Sequence, residues 1–175
     1  MTQHIDSINI VVTSGNGGPG CVSFRREKYI DNGGPDGGDG GKGGDVILQG
    51  NEKLRSLLDL KRKRRYKAQN GQPGLTKKRY GSQGQPITIN VPLGTLIYDE
   101  HDTLISDITH HNQKVYIAKG GLGGQRNTKF ASSIKQTPRY AQPVQAGKEK
   151  KIRLELKLIA QVGIIGLHTG GLSTK

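Results

Sequence analysis

The sequence is poor in the residues that build large aromatic cores, disulfides and membrane spans. It has no Trp, two Phe, one Met and one Cys, and hydrophobic residues make up 31% of its 175 positions. A lone Cys21 forms no intrachain disulfide, and the longest apolar run, VYIA at 115–118, is far shorter than the ~20 residues that span a bilayer. The N-terminus, MTQHIDSINI, lacks the basic start and apolar stretch of a secretory signal. These absences predict a cytoplasmic chain that contacts no membrane.

Acidic residues are outnumbered by basic ones, with 14 Asp and Glu against 27 Lys and Arg and a formal net charge of +13. The excess lies beyond residue 60, where the densest block is KRKRRYK at 61–67 and a second cluster is formed by Lys77, Lys78 and Arg79. Clustered cations release counterions when they bind a polyphosphate, which gives high affinity with little sequence preference. The pattern favours contact with RNA or DNA, and a merely solvated basic surface is the alternative.

Glycine is abundant, with 27 residues, and from Gly37 onward it follows a strict triplet, GGDGGKGGD. Three residues per turn is the period of the left-handed polyproline-II helix, which has no internal hydrogen bonds. Glycine at two of every three positions leaves two faces of such a helix without side chains, so neighbouring segments can approach to backbone contact. Further Gly-rich pieces lie at 71–84 and 120–124. We therefore predict an ordered, packed bundle, with a flexible linker as the alternative.

Alternating apolar and polar residues predict short strands at 8–12, 87–91, 115–117 and 152–158. No stretch shows a 3.6-residue period with caps, so helix is expected to be scarce. The predicted architecture is mainly β, a small β-domain that carries long Gly-rich protrusions.

The last segment, LIAQVGIIGLHTGGLSTK, partly matches a phosphate-binding loop. Gly166 and Gly171 have the spacing of G-x-x-x-x-G-K-[ST], and Ser173 stands at the magnesium-ligand end. Leu172 occupies the position of the Lys that reaches the β- and γ-phosphates. Lys175 is no substitute, because it would project about one helical turn further on. We expect no GTP binding near micromolar concentrations and no turnover by this chain alone.

Other candidate sites have weak support. Adjacent His110 and His111 would point to opposite faces of a strand, so a zinc site is not expected. The aspartates of the Gly run lack the terminal Glu of a calcium loop, and charges that solvate the Gly helices are the preferred interpretation. Cys21 is interpreted as a buried thiol. Four tyrosines lie near basic residues, where they either stack on bases or pack the rim of the β-domain: Tyr29, Tyr66, Tyr80 and Tyr140.

Several motifs resemble the N-terminal domain of the Obg family of GTPases, followed by the first strand and P-loop of its GTPase domain. They are GNGGPGCVSFRREKYI at 15–30, GGPDGGDGGKGGDVIL at 33–48, YKAQNGQPG at 66–74, VPLGT at 91–95, GGLGG at 120–124, NTKFASS at 127–133, QTPRYA at 136–141 and LELKLIA at 154–160. The sequence departs from the family at Gln161, where an Asp is usual, and at Arg126, where a Gly precedes the Asn. The expected chain is a truncated or degenerate Obg protein.

The resemblance implies a small β-barrel base that carries a bundle of Gly-rich left-handed polyproline-II-like helices. It implies an Obg domain at 1–158 and the start of a P-loop GTPase domain at 159–175. Slow Mg²⁺-dependent GTP hydrolysis and assistance to large ribosomal subunit assembly are the implied activities. The inherited nucleotide positions, with Ser173 as the Mg²⁺ ligand, are Gly166, Leu167, His168, Thr169, Gly170, Gly171, Leu172 and Ser173.

The family's loop tips are implied to contact ribosomal RNA. We expect phosphate contacts from the basic residues beside the Gly-rich loops, namely Arg25, Arg26, Lys28, Lys42, Lys77, Lys78, Arg79, Lys135 and Arg139. Block 61–67 is expected to lie on the β-barrel and to contribute less. No residue is assigned a catalytic role, and a monomer is expected. The alternative function is a non-enzymatic, stand-alone Gly-helix structural or interaction domain.

Overall fold

The computed structural model describes residues 6–29, 33–127 and 144–157. Within these ranges the chain forms eight strands and one short helix. In chain order they are β1 (Asp6–Thr13), β2 (Val46–Gly50), α1 (Leu58–Arg62), β3 (Arg65–Lys67), β4 (Ile87–Val91), β5 (Thr95–Tyr98), β6 (Leu104–Ile108), β7 (Lys114–Ala118) and β8 (Glu149–Leu156). The predicted mainly β architecture with scarce helix is confirmed.

The strands form two sheets. One has five strands in the order β3-β1-β8-β5-β6, and the other has three in the order β4-β2-β7. Strand β8 pairs antiparallel with β5 and along the whole of β1, from Asp6 opposite Leu156 to Thr13 opposite Glu149. Strand β3 is parallel to β1, and β4 is parallel to β2. Strand β8 thus occupies the middle of the larger sheet.

One hydrophobic core joins the two sheets. Alternate residues of β1 point inward, because Ile8, Ile10 and Val12 are buried while the residues between them are not. The same alternation buries Ile152 and Leu154 of β8. The strands predicted at 8–12, 87–91 and 115–117 are confirmed, and so is the part of the 152–158 prediction that lies in β8. Strands β2, β3, β5 and β6 were not anticipated.

Six extended segments pack beside the sheets and form what we call the glycine bundle: 14–21, 36–45, 69–75, 78–86, 120–127 and 144–148. Segment 36–45 is central, because it is hydrogen-bonded to four of the others. Its bonds recur every third residue, as the triplet predicts. The N–H groups of Gly38, Gly41 and Gly44 donate to the carbonyls of Leu75, Gln72 and Gln69, and the carbonyls of the same glycines accept from Cys21, Gly18 and Gly15.

The other two faces of the central segment bind different neighbours. The carbonyls of Asp39 and Lys42 accept from the N–H groups of Gly81 and Gly84. The N–H groups of Gly40 and Gly43 donate to the carbonyls of Gly124 and Gly121. A helix with three residues per turn offers three such faces, so this ladder fits the polyproline-II-like geometry.

The glycines of the bundle are needed because a side chain has no room. A Cβ on Gly38 would overlap the carbonyl oxygen of Arg79, and a Cβ on Gly41 would overlap that of Ser82. Backbone freedom is not the reason, because Gly94, outside the bundle, is the described glycine with a positive φ (86°). The prediction of a packed bundle rather than a linker is confirmed.

Carboxylates and amides of the bundle act as cross-links. Asp39 and Asp45 each accept a 2.7 Å hydrogen bond through Oδ1, from the backbone N–H of Arg126 and of Gly120 respectively. Asn127, which is fully buried, accepts from the Gly37 N–H and donates to the Ser23 carbonyl. The aspartates interpreted as solvating charges therefore include two that bond directly to the backbone of a neighbouring segment.

Candidate nucleic-acid interface

Two turns close the glycine bundle at the end remote from the strands. The first tip, which comprises the described residues 22–29 and 33–35, lies between segments 14–21 and 36–45. The second tip, 75–79, joins segments 69–75 and 78–86. The tips lie side by side, because the Lys78 N–H donates to the Asp36 carbonyl at 2.6 Å and the Gly38 N–H donates to that of Leu75. Cations on both tips therefore belong to one surface.

The second tip is a tight turn with unfavourable backbone angles. The Arg79 N–H donates to the Thr76 carbonyl, and the Leu75 N–H donates to the Arg79 carbonyl. The two central residues, Lys77 and Lys78, have φ of 58° and 56°. Consecutive positive φ values are typical of a type I′ turn, where Asn and Gly are preferred because other side chains are strained. The turn exposes Lys77, Lys78 and Arg79 to solvent.

The first tip also presents cations and an aromatic ring. Arg25, Arg26 and Lys28 are exposed, and Arg25 Nε is paired with Glu27 at 2.7 Å. Tyr29 is 91% exposed with φ of 73°, and the Lys28 ammonium lies 5.4 Å from its ring centroid. Among the described residues, Arg26 and Lys28 have no carboxylate partner. An exposed ring flanked by cations is typical of surfaces that stack bases while binding phosphates.

Lys42 does not lie at a tip. It stands near the middle of the central segment, and its ammonium is 3.0 Å from the Asp45 carboxylate. Burial by itself raises the pKa of Asp45, but the hydrogen bond from the Gly120 N–H and the cationic Lys42 outweigh it and hold that pKa below its usual value. Lys42 therefore stabilises a bundle cross-link, whereas the other described residues of the predicted set gather at the tips.

The tyrosines fall into two groups. Tyr29 and Tyr80 are exposed, and the Arg126 guanidinium covers the Tyr80 ring at 5.3 Å and donates to its hydroxyl at 3.2 Å. Tyr66 is buried in the core, where burial raises its pKa, so the packing interpretation is correct for this residue. The stacking interpretation remains a prediction for Tyr29 and Tyr80, and Tyr140 lies outside the described residues. The Arg126 contact was missed, because sequence alone does not show which turn it faces.

Block 61–67 lies on the β base, as expected. It spans the end of α1 and strand β3, at the edge of the five-stranded sheet. Lys61 is paired with Asp6 at 2.8 Å, and the Lys63 ammonium lies 5.1 Å from the Tyr66 ring. The rest of the block's cations have no ion pair among the described residues.

The remaining candidate sites are either structural or outside the described residues. In the described part of the chain, no three His, Cys, Asp or Glu side chains are arranged to hold a metal ion, and no helix is long and apolar enough to cross a membrane. His110 and His111 lie in the turn between β6 and β7 rather than in a strand. Cys21 is half-buried. Lys135, Arg139 and the nucleotide positions Gly166 to Ser173 lie outside the described residues.

Comparison with known proteins agrees with this fold. The family model described as GTP1/OBG matches residues 5–158. The protein named GTPase Obg of Desulforapulum autotrophicum is 51% identical over 173 residues, which cover 98% of this chain and 50% of that protein. GTPase Obg of Thermodesulfovibrio yellowstonii is 50% identical over 173 residues, covering 98% and 51%. The one of Thermoanaerobacter sp. is 51% identical over 171 residues, covering 97% and 40%.

The chain thus spans about half the length of the curated relatives it matches. Because both the family model and the relatives cover nearly all of it, the resemblance read from the glycine triplets and flanking motifs is confirmed. The chain belongs to the GTP1/OBG family.

Proposed function

We propose that this chain is the ribosomal-RNA-binding part of an Obg-type GTP-binding protein that assists assembly of the large ribosomal subunit. The observation that carries the proposal is the second tip. Two consecutive lysines occupy backbone angles at which Asn and Gly are favoured, and each such residue costs of the order of 1 kcal/mol or more. A turn that only had to close the chain would be more stable with Asn-Gly. The backbone strain at Lys77 and Lys78 is therefore explained by the need to place two ammonium groups at this tip.

The rigidity of the bundle supports the same proposal. Both tips are fixed by backbone hydrogen bonds to segments that are themselves bonded on several sides. Cations held on a rigid support lose little further conformational entropy on binding, which preserves affinity. The first tip adds an exposed aromatic ring beside cations, as single-stranded RNA-binding surfaces do.

The name of the relatives, GTPase Obg, supports the use of GTP and Mg²⁺ by the whole protein. The residues of this chain that would meet the nucleotide are Gly166 to Ser173, with Ser173 as the Mg²⁺ ligand. Leu172 has no ammonium group to offset the phosphate charge, so this chain alone is proposed to bind no GTP. We further propose that the chain acts as a monomer in the cytoplasm.

The test is RNA binding measured against salt concentration. The chain should bind large-subunit ribosomal RNA more tightly than duplex DNA of equal length, with log K falling steeply as log[salt] rises. Replacing Lys77, Lys78 and Arg79 together by Ala should flatten that slope by about two to three units, because each neutralised phosphate contributes about 0.7 to 0.9.

A matched control removes the same charge elsewhere. Lys53 and Arg55 on the loop after β2 and Lys114 at the start of β7 are exposed, and none of them has an ion pair within the described part of the chain. Their replacement by Ala should change the slope by well under one unit. Equal slopes in the tip variant and the unaltered chain would refute the RNA contacts and favour the structural, non-enzymatic alternative.

A further inference from the structure

The outer face of the five-stranded sheet carries a row of cations that the proposed tip contacts do not use. Val11 of β1 lies between Arg65 of β3 and Lys151 of β8 in the strand register. The residues next to them in the chain, Ile10, Tyr66 and Ile152, are buried. Because successive side chains of a strand point to opposite faces, Val11, Arg65 and Lys151 lie on the outer face. Neighbouring strands lie about 4.8 Å apart, which places the Cα atoms of Arg65 and Lys151 about 10 Å from each other.

The row borders a groove of about 480 Å³ on this face. Arg64, Arg65 and Lys151 line it on one side, and Asp99 and Glu100 line it on the other. The three cations have no ion pair among the described residues, which leaves their charges uncompensated.

Another cation in the groove is already satisfied. Arg153 is paired with Asp102 at 2.6 Å and with Glu155 at 3.2 Å, and its guanidinium lies 4.6 Å from the Tyr98 ring centroid. The groove therefore has an acidic half, beside β5, whose one cation is ion-paired, and a basic half, beside β3, whose cations have no ion pair among the described residues. An anion would find its partners only in the basic half.

Protection of a sheet edge explains part of this charge but not all of it. Lys and Arg on an edge strand discourage pairing with other chains, and this accounts for Arg65 and Lys67 on β3. Lys151 lies on β8, the middle strand of the sheet, where there is no edge to protect. Its place opposite Arg65 across Val11 calls for a different explanation.

We propose that Arg64, Arg65 and Lys151 form a second site for phosphate groups of an RNA backbone. The site lies roughly 35 Å from the tips, which is about the distance that residues 13 to 24 span at about 3.1 Å per residue in polyproline-II-like form. The inference rests on the proposed function for its ligand. Two sites on one rigid support would bind one folded RNA together, and the first contact would raise the effective concentration for the second.

The test compares three triple variants on a labelled large-subunit ribosomal RNA. The face variant is Arg64→Gln, Arg65→Gln and Lys151→Gln, the tip variant changes Lys77, Lys78 and Arg79 to Gln, and the control changes Lys53, Arg55 and Lys114 to Gln. We expect the face variant to flatten the salt slope by about two units and the control by well under one. If the face variant has the same salt slope as the control while the tip variant has a flatter one, the second site is refuted and the proposed function is retained. A loss in neither variant would overturn both.

A single substitution on the acidic side gives the sign of the ligand's charge. Glu100→Gln removes a negative charge facing the basic half, so it should tighten RNA binding about twofold at low salt if an anion occupies the groove. Weaker binding would contradict an anionic ligand there.

A measurement on the unaltered chain removes any dependence on how the variants fold. RNA should slow the acylation of the Lys151 amine, whereas the amines of Lys53 and Lys114 should react at the same rate with and without RNA. Mass spectrometry measures the acylation of each lysine. Equal rates for all three lysines with and without RNA would contradict the second site.

Discussion

In the β region, side chains such as Ile10, Leu48 and Ile97 fill the core between the two sheets, whereas in the glycine bundle the segments touch at their backbones. The sheets obtain their stability from apolar area removed from water. The bundle has little apolar surface to bury and relies on hydrogen bonds, each worth about 1 kcal/mol net. It also bears the entropic cost of ordering glycine, the most flexible residue.

The two regions therefore tolerate opposite changes. A sheet core can lose a methylene group and partly relax around the gap. A bundle segment cannot gain one, because the nearest atoms are backbone carbonyls that also serve as hydrogen-bond acceptors. The bundle is therefore a rigid support for the cations of both tips.

The largest effect is expected from adding one methyl group to the bundle. Gly38→Ala or Gly41→Ala should lower the free energy of unfolding by about 3 kcal/mol or more, because the new Cβ overlaps a carbonyl oxygen and must push a segment away. Denaturant unfolding of the chain measures this. Gly38→Val should cost still more.

Two controls make the comparison quantitative. Gly34→Ala should be nearly neutral, because in the described ranges no heavy atom beyond its chain neighbours lies within 4 Å of a Cβ at that position. Ile10→Val removes a methylene from the core and should cost about 1 kcal/mol. If Gly38→Ala costs no more than Gly34→Ala, backbone contact does not hold the bundle together.

A smaller effect is expected from the Asp45 cross-link. Because its pKa is lowered in the folded chain, its contribution is present above the ordinary Asp value of about 3.9 and is lost as pH falls through the folded value. Asp45→Asn should cost about 1 kcal/mol at pH 7 and progressively less below pH 4, and unfolding midpoints from pH 7 to 2.5 measure this. A constant difference across that range would mean that ionisation of Asp45 contributes nothing.

Asp99, in the turn between β5 and β6, offers a counterpart in the sheets. Hydrogen bonds from the Thr103 and His101 N–H groups hold its pKa below the usual value, although burial acts in the opposite direction. Asp99→Asn should reduce the acid sensitivity of unfolding in the same direction as Asp45→Asn. In a double variant the two reductions in acid sensitivity should add, because the two carboxylates share no hydrogen-bond partner.

The smallest effect is a gain in stability. Lys77→Asn with Lys78→Gly should raise the free energy of unfolding by somewhat under 1 kcal/mol. Asn relieves its positive φ only in part, and the strain that Gly removes is largely offset by the entropy that glycine loses on folding. The same variant should bind large-subunit ribosomal RNA more weakly, with a salt slope about 1.5 units flatter, because two cations are removed. Greater stability with unchanged RNA binding would show that the strained backbone of the second tip does not serve RNA binding.

The parts of this fold that the sequence predicts are those with a repeating pattern. Alternation identified β1, β4, β7 and β8, and the Gly triplet identified the packed bundle. Strand β2 is an almost continuously buried run without alternation, and in β3 a single residue, Tyr66, points inward among cations. Neither pattern distinguishes a strand from its surroundings, because the burial comes from partners far away in the chain.

The site was only partly predictable for a related reason. The sequence shows which cations lie near glycines, but it does not show which end of an extended segment carries the turn. Lys42 was grouped with the tip residues and lies instead within the bundle beside Asp45. The positive φ angles of Lys77 and Lys78 were not foreseeable, because Lys has no preference for them and the surrounding hydrogen bonds impose them.

The central position of β8 has a consequence for how the chain folds during synthesis. Asp6 begins β1, and its partner in the sheet, Leu156, is synthesised about 150 residues later. At about 5–20 residues per second, β1 waits roughly 8–30 s before its main neighbour leaves the ribosome. Contacts between such distant parts of the chain make folding slow. Until then, the edge of β1 that β8 later covers has no partner, and an unpaired strand edge is a place where other chains can pair.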